Sequence, residues 1–126
     1  MIKKFLFLIF VTTLAGCTII QPGASNNWKG FAESGQASYY GDKHQNRKTA
    51  SGDVYKHNLK TAAHKKLPFG STVKVTNASN GKSVIVKIND RGPFVRGRII
   101  DLSKSAFADI GNLSNGLIHV NIEVVQ

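Results

Sequence analysis

Two stretches of strict alternation, joined by an Asn-Gly pair, set the character of this chain. From Thr72 to Asn77, Val73 and Val75 fall on one face and Lys74 and Thr76 on the other. From Ser83 to Asn89, Val84, Val86 and Ile88 again share a face. A period of two marks half-buried strands, and Asn80-Gly81 is the favoured pair for a tight hairpin because both residues tolerate positive φ. The alternation returns between Leu117 and Val125, where Ile118, Val120, Ile122 and Val124 lie opposite His119, Asn121 and Glu123. Shorter strands are predicted at 36–40, 61–64 and 98–102. One helix is predicted after Ser103, its N-cap, with Leu102 and Phe107 as a hydrophobic staple and Gly111 as the C′ glycine. Five or six short strands and a single helix predict a mainly β chain closed into a small barrel with one crossover helix. Residues 42–60 have no clear periodicity and read mostly as loop.

The single cysteine, Cys17, excludes an internal disulfide, a zinc finger and a CxxC redox site. The fold must therefore come from burial, and a hydrophobic content of 41% with 19% charged residues is globular in kind. Lys3 and Lys4 precede the apolar run Phe5 to Val11, which is too short to span the ~30 Å of a bilayer core. It is followed by Leu14-Ala15-Gly16-Cys17, which resembles the bacterial lipoprotein signal. In that reading residues 1–16 are a signal peptide and Cys17 carries lipid as the mature N-terminus. Residues 17–34 are then a flexible Gly/Ser/Asn-rich tether, interrupted by Trp28 and Phe31, and residues 35–126 are the domain. Thr18 after Cys17 favours the outer membrane, so the expected location is the periplasmic face of the envelope. The excess of 17 Lys and Arg over 7 Asp and Glu suits a protein beside anionic envelope polymers. No RNP motif, basic helix or Cys/His cluster points to nucleic acid, and no His pair has metal-ligand spacing. No metal and no cofactor are expected.

Several motifs in order bring a family into view. Ala37-Ser38-Tyr39-Tyr40-Gly41, Thr49-Ala50-Ser51-Gly52, Thr61-Ala62-Ala63-His64-Lys65 and Leu67-Pro68-Phe69-Gly70 come first. Val73 to Asn77, Asn80-Gly81-Lys82, Ile88-Asn89-Asp90-Arg91-Gly92-Pro93-Phe94 and Gly97 to Ser103 follow. Together they resemble the rare lipoprotein A (RlpA) family across nearly all of residues 36–126. The resemblance implies a six-stranded double-psi β-barrel, related in shape to barwin and expansin domains. It also implies an endolytic lytic transglycosylase that cuts the MurNAc–GlcNAc bonds of peptide-stripped peptidoglycan strands and leaves 1,6-anhydroMurNAc ends. A monomer is expected. No residue follows Gln126 here, so the denuded-glycan-binding module of many family members is expected to be absent.

Cleaving a glycosidic bond needs a carboxylic acid to protonate the leaving oxygen. Asp90 is the leading candidate, just past a strand in Asn89-Asp90-Arg91-Gly92-Pro93; the competing reading is a turn-capping Asp. The resemblance makes Asp53 the second catalytic acid, although the family carries Glu there. Asp is shorter by one methylene, leaving three readings: a retuned acid, a water-mediated acid, or a weakened enzyme that mainly binds. The alternative to catalysis is accordingly a non-cleaving, expansin-like peptidoglycan-binding lipoprotein. His64, a family position implicated in activity, either bonds a catalytic carboxylate or a sugar, or is a buried histidine satisfied by backbone. Arg91 either pairs with Asp90 or holds glycan. Tyr39, Tyr40, Thr49 and Asn89 complete the expected substrate contacts. One tyrosine is predicted to pack inward and the other to face the groove. Asp101 reads as helix-start electrostatics, and Asp42, Asp109, Glu33 and Glu123 as solvated surface.

Overall fold

The structure, a computed structural model, describes residues 27–126. The signal segment 1–16, Cys17 and most of the expected tether lie outside the described residues. Six strands form a closed barrel: β1 (Ala32–Tyr39), β2 (Thr61–Ala63), β3 (Thr72–Asn77), β4 (Ser83–Asp90), β5 (Arg98–Leu102) and β6 (Ile118–Val124). The ring order is β1-β5-β2-β4-β3-β6, with β1 parallel to β5, β2 parallel to β4, and every other neighbour antiparallel. Exchanging β1 with β4, β2 with β5 and β3 with β6 leaves the ring and the sense of every pairing unchanged. This two-fold relation between halves has no counterpart in an obvious sequence repeat.

The alternating faces close on one another as their period requires. Val73, Val75, Val84, Val86, Ile88, Ile118, Val120, Ile122 and Val124 are all buried in one cluster. Ile100, Leu102 and the helix residues Ala106, Phe107 and Ile110 complete it. The helix α1 (Lys104–Ile110) starts where expected, Ser103 accepting from the Ala106 amide, and both residues of the proposed staple are fully buried.

Three local expectations are corrected. The tether ends earlier than residue 34: β1 starts at Ala32 and pairs with β6 from Ala32↔Glu123 onward. Its polar residues Glu33, Ser34 and Gly35 concealed it, because only every second one is even half-buried. Trp28 and Phe31, 5.3 Å apart edge to face, pack against the core and fix this entry. The hairpin between β3 and β4 is not a two-residue turn. Asn77 donates its amide to Lys82 O at 2.8 Å across a four-residue loop, in which Gly81 takes positive φ and Asn80 does not. Asn80 is used differently: its Nδ2 and that of buried Asn77 both donate to Ile110 O, at 2.9 and 2.8 Å, and close the C-terminus of α1. Gly111 is extended, at φ −158°. A Cβ there would stand 3.3 Å from Ile118 Cδ1, so close packing and not a left-handed turn accounts for the glycine.

Asn77 also accepts from the Ser79 amide at 2.9 Å. Asn77→Ala removes both bonds from a buried site and is expected to cost about 2 kcal/mol, whereas Asn80→Ala, nearer solvent, costs less than about 1 kcal/mol. Urea unfolding of the two variants checks the order.

Candidate active site

Strand β4 carries its inward residues up to Ile88 and then gains a residue. Ala62 pairs with Ile88 and Ala63 with Asp90, so Asn89 is the extra residue of a bulge. A bulge re-aims the side chains that follow it, and Asp90, at the end of the strand, looks into a cleft of about 290 Å³. Its floor and walls include Tyr39, Tyr40, Arg91, Phe94, Arg98 and Asp101. The turn beyond Asp90 passes through Gly92, at φ 116°, and a cis Gly92–Pro93 bond.

The two oxygens of Asp90 are held differently. Oδ1 accepts from the backbone amides of Ala50 and Arg91, both at 2.9 Å. Oδ2 accepts from the Tyr40 hydroxyl at 2.5 Å. Burial, with the negative charge of Asp90 next to it, pushes the Tyr40 phenol well above its ordinary range, so it remains a donor. Tyr40 is itself set by a stack: the Tyr55 ring lies 4.4 Å from it and His44 5.2 Å away. Tyr55 is 2% exposed. The Lys104 amide donates to its hydroxyl at 3.1 Å, so that hydroxyl donates onward to His57 Nδ1 at 2.7 Å. His57 then carries its proton on Nε2, 3.0 Å from Asp42 Oδ1. Asp42, read as solvated surface from sequence, thus anchors this chain of bonds together with Lys104 Nζ at 3.2 Å.

The loop that supplies Ala50 is a tight turn. Thr49 and Asp53 are joined by Thr49 N to Asp53 O at 2.8 Å, with Gly52 at φ 93°. Ser51 N donates to Asn89 O at 3.2 Å and docks the turn on β4. Asp53 is exposed and does not line the cleft; its Oδ2 meets Asn89 Nδ2 at a long 3.5 Å. The docked turn therefore brings Asp53 to the strand end that carries Asp90, but onto the neighbouring side chain. Thr49 and Asn89 also stay off the cleft. The Thr49 hydroxyl bonds Asp53 O and Ser51 within the turn, and Asn89 is buried under it.

Two further expectations change. His64 bonds neither Asp53 nor Asp90 with its ring, in keeping with the reading of a buried histidine satisfied largely by backbone. It is 2% exposed, and its Nδ1 accepts from the amides of Lys66 and Leu67 at 3.1 and 3.2 Å, which leaves Nε2 to donate to Glu33 at 3.2 Å. The imidazole knots the turn after β2, while its backbone amide donates to Asp90 O at 3.1 Å. Arg91 makes no ion pair with Asp90. Its Nη1 donates to the carbonyls of Leu67 and His64 at 2.9 and 3.2 Å, and its guanidinium lies 4.0 Å over the Phe69 ring, tying the cleft to the same turn. Both tyrosines line the cleft, but Tyr39 is packed on Phe107 at 4.7 Å and donates to Leu113 O.

Asp101, two residues before the Ser103 N-cap, has a second place as well. It lies on the cleft wall, paired with Arg98 at 2.6 Å and bonded by Ser38. The sequence singled out neither Tyr55 nor Arg98, and it gave Asp101 a role at the helix start alone. The alternation of β5 puts Arg98 on the face of buried Ile100 and Leu102, so spacing gave no reason to expect it in the cleft, and it is the β1–β5 pairing that brings it to Ser38. Among the described residues, no group of three or more His, Cys, Asp or Glu is placed to hold a metal.

Burial of His64 lowers its affinity for a proton below the ordinary imidazole value of 6.5, against the pull of Glu33. The unfolded chain then binds a proton that the folded chain refuses, so His64 contributes stability above about pH 6.5 and loses it as pH falls below. The expected outcome is that wild type exceeds His64→Gln in urea midpoint at pH 7.5, and that the difference shrinks by pH 5.5.

Residues 32–122 match the lytic transglycolase family. The chain is 55% identical over 102 residues to the endolytic peptidoglycan transglycosylase RlpA of Pasteurella multocida, covering 81% of this chain and 35% of that one. It is 54% identical over 99 residues to the protein of that name from Vibrio cholerae, covering 79% and 38%. The chain thus spans little more than a third of the length of these curated relatives. Among solved structures, a Streptomyces papain inhibitor superposes with TM-score 0.62 at 26% identity, over 78% of this chain and 97% of that one. A Clavibacter michiganensis expansin in complex with cellohexaose superposes with TM-score 0.58 at 21% identity, over 75% and 50%, a likeness of fold. The chain belongs to the RlpA family of double-psi β-barrel proteins.

Proposed function

We propose that this chain is an endolytic peptidoglycan lytic transglycosylase acting on peptide-stripped glycan strands, with Asp90 as its acid and base. One observation carries the reading: in a chain of this family, a carboxylate faces the cleft with Oδ1 occupied by two backbone amides and Oδ2 held by Tyr40. Any proton that moves must use Oδ2, because both in-plane positions at Oδ1 are taken. In the forward step the protonated Oδ2 gives its proton to the O4 of the departing GlcNAc as the MurNAc C1–O bond breaks. The ionised Oδ2 then takes the proton from the MurNAc C6 hydroxyl as that oxygen closes on C1. No water is consumed, and the product end is 1,6-anhydroMurNAc. Tyr40 donates throughout, so the carboxylate keeps its aim while its charge changes.

Asp53 is the second carboxylate of the proposal, at the rim of the docked turn. Its shorter side chain stops at Asn89, where the family Glu has one methylene more. We further propose that Cys17 carries lipid and holds the chain, as a monomer, on the periplasmic face of the outer membrane. The sequence from Lys3 to Thr18 supports this.

Incubation with amidase-stripped strands, followed by mass spectrometry of the soluble products, tests the activity. Anhydro-ended fragments are expected from wild type, with Asp90→Asn slower by about 10³-fold and Tyr40→Phe by about tenfold. Asp53→Glu is expected to raise the rate and Asp53→Asn to lower it without abolishing it. Strand binding with no fragments from wild type would overturn the cleaving reading. For the anchor, labelled palmitate is expected in the membrane fraction of wild type, and Cys17→Ser is expected to lose the label and leave that fraction.

A further inference from the structure

Besides the His44 imidazole, three six-membered aromatic rings line the cleft, and two of them are already spent. Tyr39 rests against Phe107 and is tied by its hydroxyl to Leu113 O. Tyr40 is stacked between Tyr55 and His44 and gives its hydroxyl to Asp90. The third, Phe94, is 81% exposed, the most exposed large apolar side chain among the described residues. It pairs with no other ring there. The Phe94 ring thus presents a flat apolar face, open to solvent, on the wall of the cleft that holds Asp90.

Its position is built, not loose. Gly92 sits at φ 116°, and a Cβ on it would fall 3.6 and 3.7 Å from Phe94 Cε2 and Cδ2. The ring is therefore folded back along the bare backbone of Gly92, with buried Pro93 between them in the chain. It is held against the same turn that begins at Asp90, and it lies away from the barrel core. We infer that Phe94 is a sugar-stacking platform that takes the apolar C–H face of an N-acetylhexosamine ring in the glycan, immediately beside the sugar whose bond Asp90 faces. A pyranose presents axial C–H bonds on its faces and hydroxyls around its edge, and it needs a flat apolar surface on one side and polar groups at its rim. The Phe94 ring supplies the first. Arg98 and Asp101, on the same wall, supply the second. The inference rests on the cleft being the glycan site and assigns the contact that the tyrosines were expected to make.

Strand binding in a chain that does not cut separates this inference from the cleavage reading. In an Asp90→Asn background, isothermal titration of the full chain with amidase-stripped glycan strands is expected to give a Kd about tenfold higher for Phe94→Ala. Phe94→Trp should bind as tightly or more so. In the otherwise unaltered chain, Phe94→Ala should raise KM by a similar factor and leave kcat within about twofold. Thermal midpoints of the three proteins should coincide, because the ring is exposed. An unchanged Kd in Phe94→Ala overturns the platform, as does a Phe94→Trp that binds as poorly as alanine. Self-association that Phe94→Ala abolishes, with strand binding untouched, also overturns it by giving the ring to a second copy. Phe94-dependent binding without anhydro products would instead leave the platform standing and remove the cleavage reading.

Discussion

One row of backbone pairing runs across four strands, and the cleft depends on it: Ser38 with Asp101, Asp101 with Ala63, Ala63 with Asp90. These residues come from β1, β5, β2 and β4, and no two adjacent strands in the row are consecutive in the chain. The order β1-β5-β2-β4, with its two parallel pairings, sets them side by side. The central residue is an alanine, 1% exposed and clustered with Tyr40 and Tyr55. Its small side chain leaves room for two stacked rings between the carboxylates on either side of it. A larger residue there would displace Tyr40 and with it the bond to Asp90.

The two-fold relation of the barrel explains why Asp90 and its hydrogen-bond donor Tyr40 come from different halves. β1 and β4 are counterparts under the exchange, and Tyr40 follows the end of β1 as Asp90 closes β4. Each half thus contributes a strand end to one cleft. The loop between β1 and β2 then breaks the relation. It docks its 49–53 turn on Asn89 and Asp90 and inserts Tyr55 behind Tyr40. Without that loop the barrel would still close, since all six strands and their core lie outside it. The loop completes the site and does little for the core. It is tied to the start of α1, where the Lys104 amide donates to the Tyr55 hydroxyl, Lys104 Nζ to Asp42 and the Ser105 amide to His57 O.

The fold was legible because burial on one face of a strand leaves a period of two, and β3, β4 and β6 all carry it. The ends of the site strands were not, for the same reason in reverse. The bulge at Asn89 interrupts the alternation, so which way Asp90 points could not be read from spacing. The start of β1 was hidden because its outward and half-buried residues are all small or polar. Asp90 was legible from its motif, since Gly92 and Pro93 announce a turn after a strand. The family resemblance grouped Asp53, His64 and Asp90, and the structure separates what they touch. His64 holds a turn by its ring and Asp90 by its backbone amide. Hydrogen bonds of that kind leave no periodic trace, and neither does the pairing of Arg98 with Asp101, three residues apart yet sharing Ser38 across the sheet.

The 49–53 turn has two separable parts. Its backbone serves Asp90 directly, through the Ala50 amide, and that service is blind to the side chain at position 53. The geometry of the turn depends on Gly52 at positive φ and on the Thr49–Asp53 backbone bond, both of which accept Asp as readily as Glu. The side chain at position 53 therefore leaves the seat of Asp90 intact, and its length sets only how far a second carboxylate extends beyond Asn89. In the proposed chemistry, a mechanism that needs one well-held acid has it in Asp90, and one that needs two must bridge the gap from Asp53 with a water or with a movement of the glycan. Position 53 thus bears on the reach of the second carboxylate, and the placement of the first is secured by backbone.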